Sequence, residues 1–309
     1  KLIKITRKAP ILKQPAFGCL RDVPSINITK SCMHSCVYCY ARGFTDAPPK
    51  GEVFIYEGIH KILEGELGRK RRLPLWVSFS TASDAFQDID EVLKESYLCM
   101  KLLLERGIGI SFLTKGAIPW DFIELFKSYP GKVKARIGLV SVDEGFRRLF
   151  EPHSATINQR LMNIKNLLQA GIETSVRIDP VIPVVTDSEA AIEALIKRCN
   201  LTGVKELAVS CLVMRPSIME FLSEIPDRLR WRILKLYRGQ PWQRVITSAK
   251  TRLLPIGLRK RIYQRFSAIA QRYGIRTKVC GCKNPDMPWE FCSPWVDGEK
   301  INRQMELFG

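Results

Sequence analysis

The stretch SINITKSCMHSCVYCYAR, Ser25–Arg42, sets a strand-type run directly before three cysteines, Cys32, Cys36 and Cys39. Ser25 to Ser31 reads as a β-strand, so the thiols lie on the loop that leaves its end. A tetrahedral structural metal site takes four ligands, and this loop supplies three. The fold around it follows from what comes next in the chain.

Strand candidates recur at LWVSFST (75–81), GISFLTK (109–115), KARIGLV (134–140), ETSVRID (173–179) and KELAVSCLV (205–213). Helical stretches fall between them near residues 56–67, 88–106, 119–129, 155–170 and 187–200. The stretch 155–170 carries Ile157, Leu161, Ile164, Leu167 and Leu168 close to one 3.6-period face and stops at Gly171. Six such βα repeats make an α/β protein, either an incomplete barrel or a doubly wound sheet. In both, chemistry gathers where strands end. The positions to inspect are therefore Cys32, Ser83, Asp84, Lys115 and Ser141, with Arg177 inside the fifth strand able to point inward.

Soft thiolates select zinc, Cu(I) or iron–sulfur clusters. The spacing C-x3-C-x2-C after a strand lets three sulfurs hold three corners of a 4Fe-4S cubane and leave the fourth iron open. An open iron can chelate the amino and carboxylate groups of S-adenosylmethionine, whose reductive cleavage gives a 5′-deoxyadenosyl radical.

The chain has 309 residues, 46% of them hydrophobic, enough for a sizeable core. No long apolar run predicts a membrane span, and ten cysteines without a disulfide-scaffold pattern suit a reducing, cytoplasmic setting. The net charge of +18 is segregated: residues 228–278 hold 15 Lys or Arg and no acidic residue, which leaves only +3 for the rest. That segregation points to a polyanion or an acidic protein as partner. Trp231, Tyr237, Trp242, Tyr263, Phe266 and Tyr273 are interleaved with these cations, a pattern found in nucleic-acid grooves and equally in the buried faces of helices. Two domains are expected: the βα repeats over 20–215, and a helical, basic, cysteine-containing extension over 216–309 packing on them.

With these motifs, C-x-H-x-C-x-Y-C-Y-A-R at 32–42 resembles the radical S-adenosylmethionine superfamily, specifically its spore photoproduct lyase-like branch. SDAFQD (83–88), FLTKGAIPWD (112–121), FEPHSATINQRLMNIKNLLQAGI (150–172) and VRIDPVIPVVTD (176–187) are similar to runs of that branch. The resemblance implies a partial (β/α)6 TIM-like barrel with a 4Fe-4S cluster on Cys32, Cys36 and Cys39. It also implies S-adenosylmethionine contacts from Tyr38, Ser83, Lys115 and Ser141, and a reductant of the flavodoxin or ferredoxin type. Arg177 is expected either at the cofactor or substrate or in a pair with Asp179 or Asp84, and His34 as a hydrogen-bonding element of the cluster loop. The implied substrate is a nucleic acid base, held through residues 228–278 and repaired or modified. A peptide or small metabolite, and a non-catalytic iron–sulfur nucleic-acid-binding protein, are the alternatives.

One departure is chemical. The spore lyase has a cysteine hydrogen donor where this chain has Thr81, and an O–H bond is too strong to serve in its place. Cys211 on the sixth strand is an alternative thiol, although a small buried apolar residue is its simpler reading, as for Cys99 and Cys199. Cys19, Cys280, Cys282 and Cys292 are candidates for a second site, holding a second 4Fe-4S cluster or zinc.

Overall fold

The computed structural model describes residues 1–15, 20, 23–245 and 249–287; Cys19 and Cys292 lie outside these. In chain order the strands are β1 (Leu2–Ile5), β2 (Ser25–Ile26), β3 (Thr29–Lys30), β4 (Val53–Tyr56), β5 (Trp76–Phe79), β6 (Gly109–Thr114), β7 (Val133–Gly138), β8 (Glu173–Val181), β9 (Glu206–Cys211), β10 (Gln243–Arg244), β11 (Lys250–Thr251) and β12 (Arg276–Val279). The helices are α1 (Ile59–Gly68), α2 (Asp90–Glu105), α3 (Trp120–Lys127), α4 (Glu144–Phe150), α5 (Ile157–Gln169), α6 (Glu189–Asn200), α7 (Pro216–Phe221), α8 (Asp227–Lys235) and α9 (Ile256–Arg272).

Seven strands form one parallel sheet in the order β12-β9-β8-β7-β6-β5-β2. Each successive strand adds on the same side of its predecessor, without the reversal that defines a doubly wound sheet. The sheet therefore curls as a partial barrel. Register puts Ser78 beside Ser111, Leu113 beside Arg136, and Gly138 beside Arg177, and alternation turns this row inward.

Two elements differ from the sequence expectation. The run Ser25–Ser31 breaks after Ile26, because Asn27 turns its side chain to the next strand's exit: Oδ1 accepts from the Ala82 N–H at 2.8 Å and Nδ2 donates to Thr81 at 3.0 Å. The chain then re-forms as β3, antiparallel to β4 in a separate three-stranded sheet with β1. The second difference is β12, which comes from the basic extension and pairs with β9 as a seventh strand. The extension is thus bound into the barrel sheet through α9 and β12.

The outer helices bury the faces that their spacing predicts. In α5 these are Ile157, Leu161, Ile164 and Leu167, opened by a Thr156–Gln159 capping box and closed before Gly171, whose φ is +75°. Each fully buried aliphatic side chain contributes about 1.5–3 kcal/mol. Around β6, Phe86 lies 5.0 Å from both Phe112 and Phe122, and Phe112 lies 5.5 Å from Phe126, fastening the β5 exit loop to the β6 and α3 layer. Arg259 on α9, which spacing placed among the surface cations, is buried instead. Its guanidinium pairs with Asp286 and Asn284 at 2.5–2.9 Å.

A β-carbon at Gly116, just after β6, would stand 1.8 Å from the Phe86 carbonyl oxygen. Gly116→Ala is expected to cost about 1–3 kcal/mol by overpacking. Gly65→Ala, in the exposed middle of α1, should gain about 0.5–1 kcal/mol. Urea unfolding of the two variants checks this.

Candidate active site

The inward row and the strand exits enclose a cavity of about 280 Å³. Cys36 and Cys39 line it, as do Tyr38, Tyr40, Thr81, Lys115 and Arg177. Cys32 lies on the other side of its loop, against a second hollow of about 440 Å³ shared with Met33 and Ser35. The loop is bent by left-handed backbone at Ser31 and Ser35, with φ of +66° and +50°. It is also pinned to the segment before α5, since the Val37 N–H donates to the Phe150 carbonyl at 2.9 Å.

Asp84 is the central tie. Its buried carboxylate accepts from Thr114 Oγ1 (2.7 Å), the Lys115 N–H (2.8 Å) and the Phe86 N–H (2.9 Å), and stands 3.2 Å from His34 Nε2. The other ring nitrogen of His34 meets the His153 carbonyl at 3.0 Å. Burial alone would raise the Asp84 pKa, yet His34 and the two N–H donors hold it below the usual carboxylate value. Gln87 adds a second tie, accepting from the Met33 N–H at 2.7 Å and donating to Thr29 at 2.9 Å.

Behind Tyr38 lies a buried ion pair. Glu151 meets Arg160 at 2.6 Å and accepts the Tyr38 hydroxyl. Burial opposes ionisation of Glu151, but Arg160 and Lys115 overcome it and lower its pKa. The Lys115 ammonium, 5.5 Å from the Tyr38 ring centroid, is likewise pulled down by burial and more than restored by Glu151 and Cys36, and it stays charged. Its stem crosses Gly138, where a β-carbon would come within 2.9 Å of Lys115 Cγ.

On the opposite wall Asp179 accepts from Arg177 Nε at 3.0 Å and from Lys283 Nζ at 2.7 Å. Arg177 also reaches Cys280 Sγ at 3.6 Å. Cys280 and Cys282, both buried, line the cavity here.

Residues 26–196 match the Radical SAM superfamily profile. The chain belongs to the radical SAM superfamily. An uncharacterized Mycobacterium tuberculosis protein is 25% identical over 87% of this chain and 79% of its own length. In fold, the chain is similar to spore photoproduct lyase complexed with dinucleoside spore photoproduct. The TM-score is 0.69 at 14% identity, covering 90% of this chain and 81% of that one. It is also similar to a radical SAM methyltransferase from Sphaerobacter thermophilus, with TM-score 0.51 at 18% identity, covering 84% and 66%.

Radical SAM membership implies a 4Fe-4S cluster and S-adenosylmethionine, and the donor chemistry of the loop fits them. Among the described residues no three His, Cys, Asp or Glu side chains stand in a metal-binding arrangement. Burial pushes Cys36 up to about 12, and burial, Asp84 and the other two thiols raise Cys32. Such costly buried thiolates are what a cluster's positive irons stabilise.

Of the radical SAM contacts expected from sequence, Tyr38, Lys115 and Arg177 line the cavity, and Thr81 lines it with them. Ser83 and Ser141 lie off it: Ser83 donates to Asn27 at 3.4 Å, and Ser141 accepts from the Asp143 N–H at 3.1 Å. Cys211 is buried beside Tyr263 and is not among the residues that line the cavity. Glu151, Arg160, Arg136, Arg215 and Lys283 were not anticipated; the only signal was that Glu151 and Arg160 fall within the FEPHSATINQR run.

Glu151→Gln leaves Arg160 buried without its counter-charge and should cost about 3–5 kcal/mol. Because the folded pKa of Glu151 is depressed, its contribution is complete above the ordinary value of 4.5 and fades as pH falls through the lower folded value. Urea melts from pH 3 to 7 should show this acid-side loss in the parent chain and a flatter profile in the variant.

Proposed function

We propose that this radical SAM protein abstracts hydrogen from a nucleic acid base, repairing or modifying it. The bound cluster and S-adenosylmethionine supply a 5′-deoxyadenosyl radical; the chain supplies the pocket and the anion-binding wall. The observation that carries the reading is the charge of that wall. Among the described residues, Lys115, Arg136, Arg177, Arg215 and Lys283 line the cavity against a single carboxylate, Asp179.

The wall continues outward. Val245 and Thr251 line the cavity and flank the exposed edge of the β10–β11 hairpin, where Arg244 and Lys250 are exposed. Arg252 lies 4.3 Å from the Trp242 ring centroid, and Trp231 on α8 is 62% exposed beside Arg228 and Arg232. Of the six interleaved aromatics, Tyr237, Tyr263 and Phe266 are core residues, and Tyr273 is half-buried with its hydroxyl on Glu193. Trp231 and Trp242 are left as stacking platforms for bases. A solved protein of similar fold is complexed with a dinucleoside, which supports the same substrate class. Thr81 at the lyase's donor position argues for a different lesion or base.

Formation of 5′-deoxyadenosine by the iron- and sulfide-reconstituted chain under dithionite tests the enzyme reading. Oligonucleotide binding against salt tests the substrate class. The logarithm of affinity for single strands should fall by about 0.7 per phosphate neutralised for each decade of salt, and Arg244→Gln should lower that slope by about one phosphate's worth. Trp242→Ala should cost about 1–3 kcal/mol per stacked base. An affinity that is absent or indifferent to salt removes the nucleic acid and leaves a peptide or small metabolite.

A further inference from the structure

We infer that Arg42, with Glu224 behind it, is a positioning residue that sets the reduction potential of the cluster held by the cysteine loop; the inference rests on the cofactor of the radical SAM superfamily and not on the nucleic acid substrate proposed above.

The loop has two sides. Toward the cavity it meets Asp84 through His34, and Lys115 over the Tyr38 ring. At its exit, the 3-10 turn Tyr40–Gly43 carries Arg42. Arg42 lines the hollow that Cys32 also lines, and its Nη1 donates to the carbonyls of Ser35 and Cys36 at 3.4 and 3.3 Å. A cation is thus held against the backbone that runs between the first and third cysteines.

What holds Arg42 there comes from the extension. Its Nη2 meets Glu224 Oε1 at 2.7 Å, and its guanidinium carbon lies 4.1 Å from the Phe221 ring centroid. α7 can approach the turn this closely because Gly43 has no side chain: a β-carbon there would stand 2.1 Å from Ser217 Oγ. The Arg42 side chain is 13% exposed and that of Glu224 25%, so solvent and salt screen the pair only in part. Lys50 meets the same carboxylate at 3.1 Å but is 73% exposed.

The potential of an iron–sulfur site responds to its net charge, to hydrogen bonds and to solvent exposure. Reduction adds one electron to a site that three thiolates already make negative. A guanidinium fixed on the loop's backbone favours that electron, and a fixed carboxylate opposes it. Arg42 therefore raises the potential, while Glu224 offsets part of the rise and keeps the guanidinium in place. A tie that served folding alone would give the two residues no opposition of sign.

The test reads the potential and not turnover. The iron- and sulfide-reconstituted full chain is poised at a series of potentials without S-adenosylmethionine, the reduced cluster is followed by electron paramagnetic resonance, and iron content is measured. At the poise that half-reduces the parent, Arg42→Gln should lower the reduced-to-oxidised ratio several-fold and Glu224→Gln should raise it, both at unchanged iron content. Arg42→Lys, which keeps the charge, should stay near the parent, as should Lys50→Gln, which removes a charge from the exposed end. Shifts of the same sign in Arg42→Gln and Glu224→Gln, or no shift in either, overturn the inference. So does a Lys50→Gln shift as large as that of Arg42→Gln. If Arg42→Gln loses its iron, a Glu224→Gln ratio that does not rise overturns it. A parent chain that takes up no cluster overturns it together with the ligand assignment of Cys32, Cys36 and Cys39, whereas a failure to bind oligonucleotides touches only the substrate proposal.

Discussion

The carboxylate of Asp84 holds this active site together. A buried charge is tolerated only where donors replace its lost water, and three of them come from the β5 exit and the end of β6, with His34 of the cysteine loop as the fourth neighbour. Three segments distant in sequence are thereby held at one point. Phe86, two residues on, anchors the same loop in the aromatic layer, and Gly116 is bare because the Phe86 carbonyl occupies the space of a side chain.

From that tie the cavity acquires two walls of different character. One carries Tyr38 and Lys115, backed by the Glu151–Arg160 pair; the other carries Arg177, Asp179, Lys283 and the Cys280/Cys282 turn. Both place positive charge around space at the strand ends, where parallel α/β architectures collect their chemistry. Val245 and Thr251 line the cavity, and beside them Arg244 and Lys250 are exposed on the β10–β11 hairpin. Several cations of the basic segment serve structure instead, among them Arg259 at Asp286 and Lys278 at Glu206.

Much of the fold was legible because parallel strands and their covering helices write strong local patterns. α2, α3, α5 and α6 fall within a few residues of the expected bounds, as do the five strands after the first. β12 was not legible, since RTKV carries two cations in four residues and owes its strand state to pairing with β9. The break in the first strand was hidden for a similar reason. It depends on Asn27 finding the backbone of Ala82, 55 positions away.

By itself the sequence determined the cysteine loop, its position after a strand and the parallel repeat around it, because thiol spacing and hydrophobic period are local properties. The lysine at the end of β6 and the arginine within β8 were visible for the same reason. Only the tertiary structure decided which side chains share the cavity. It moved Ser83 and Ser141 away, brought in Arg136, Arg215 and Lys283, and carried Cys280 and Cys282 across to the wall facing the cluster loop. Those choices depend on strand order and on buried charges finding partners far along the chain, and neither is encoded within a short window of residues.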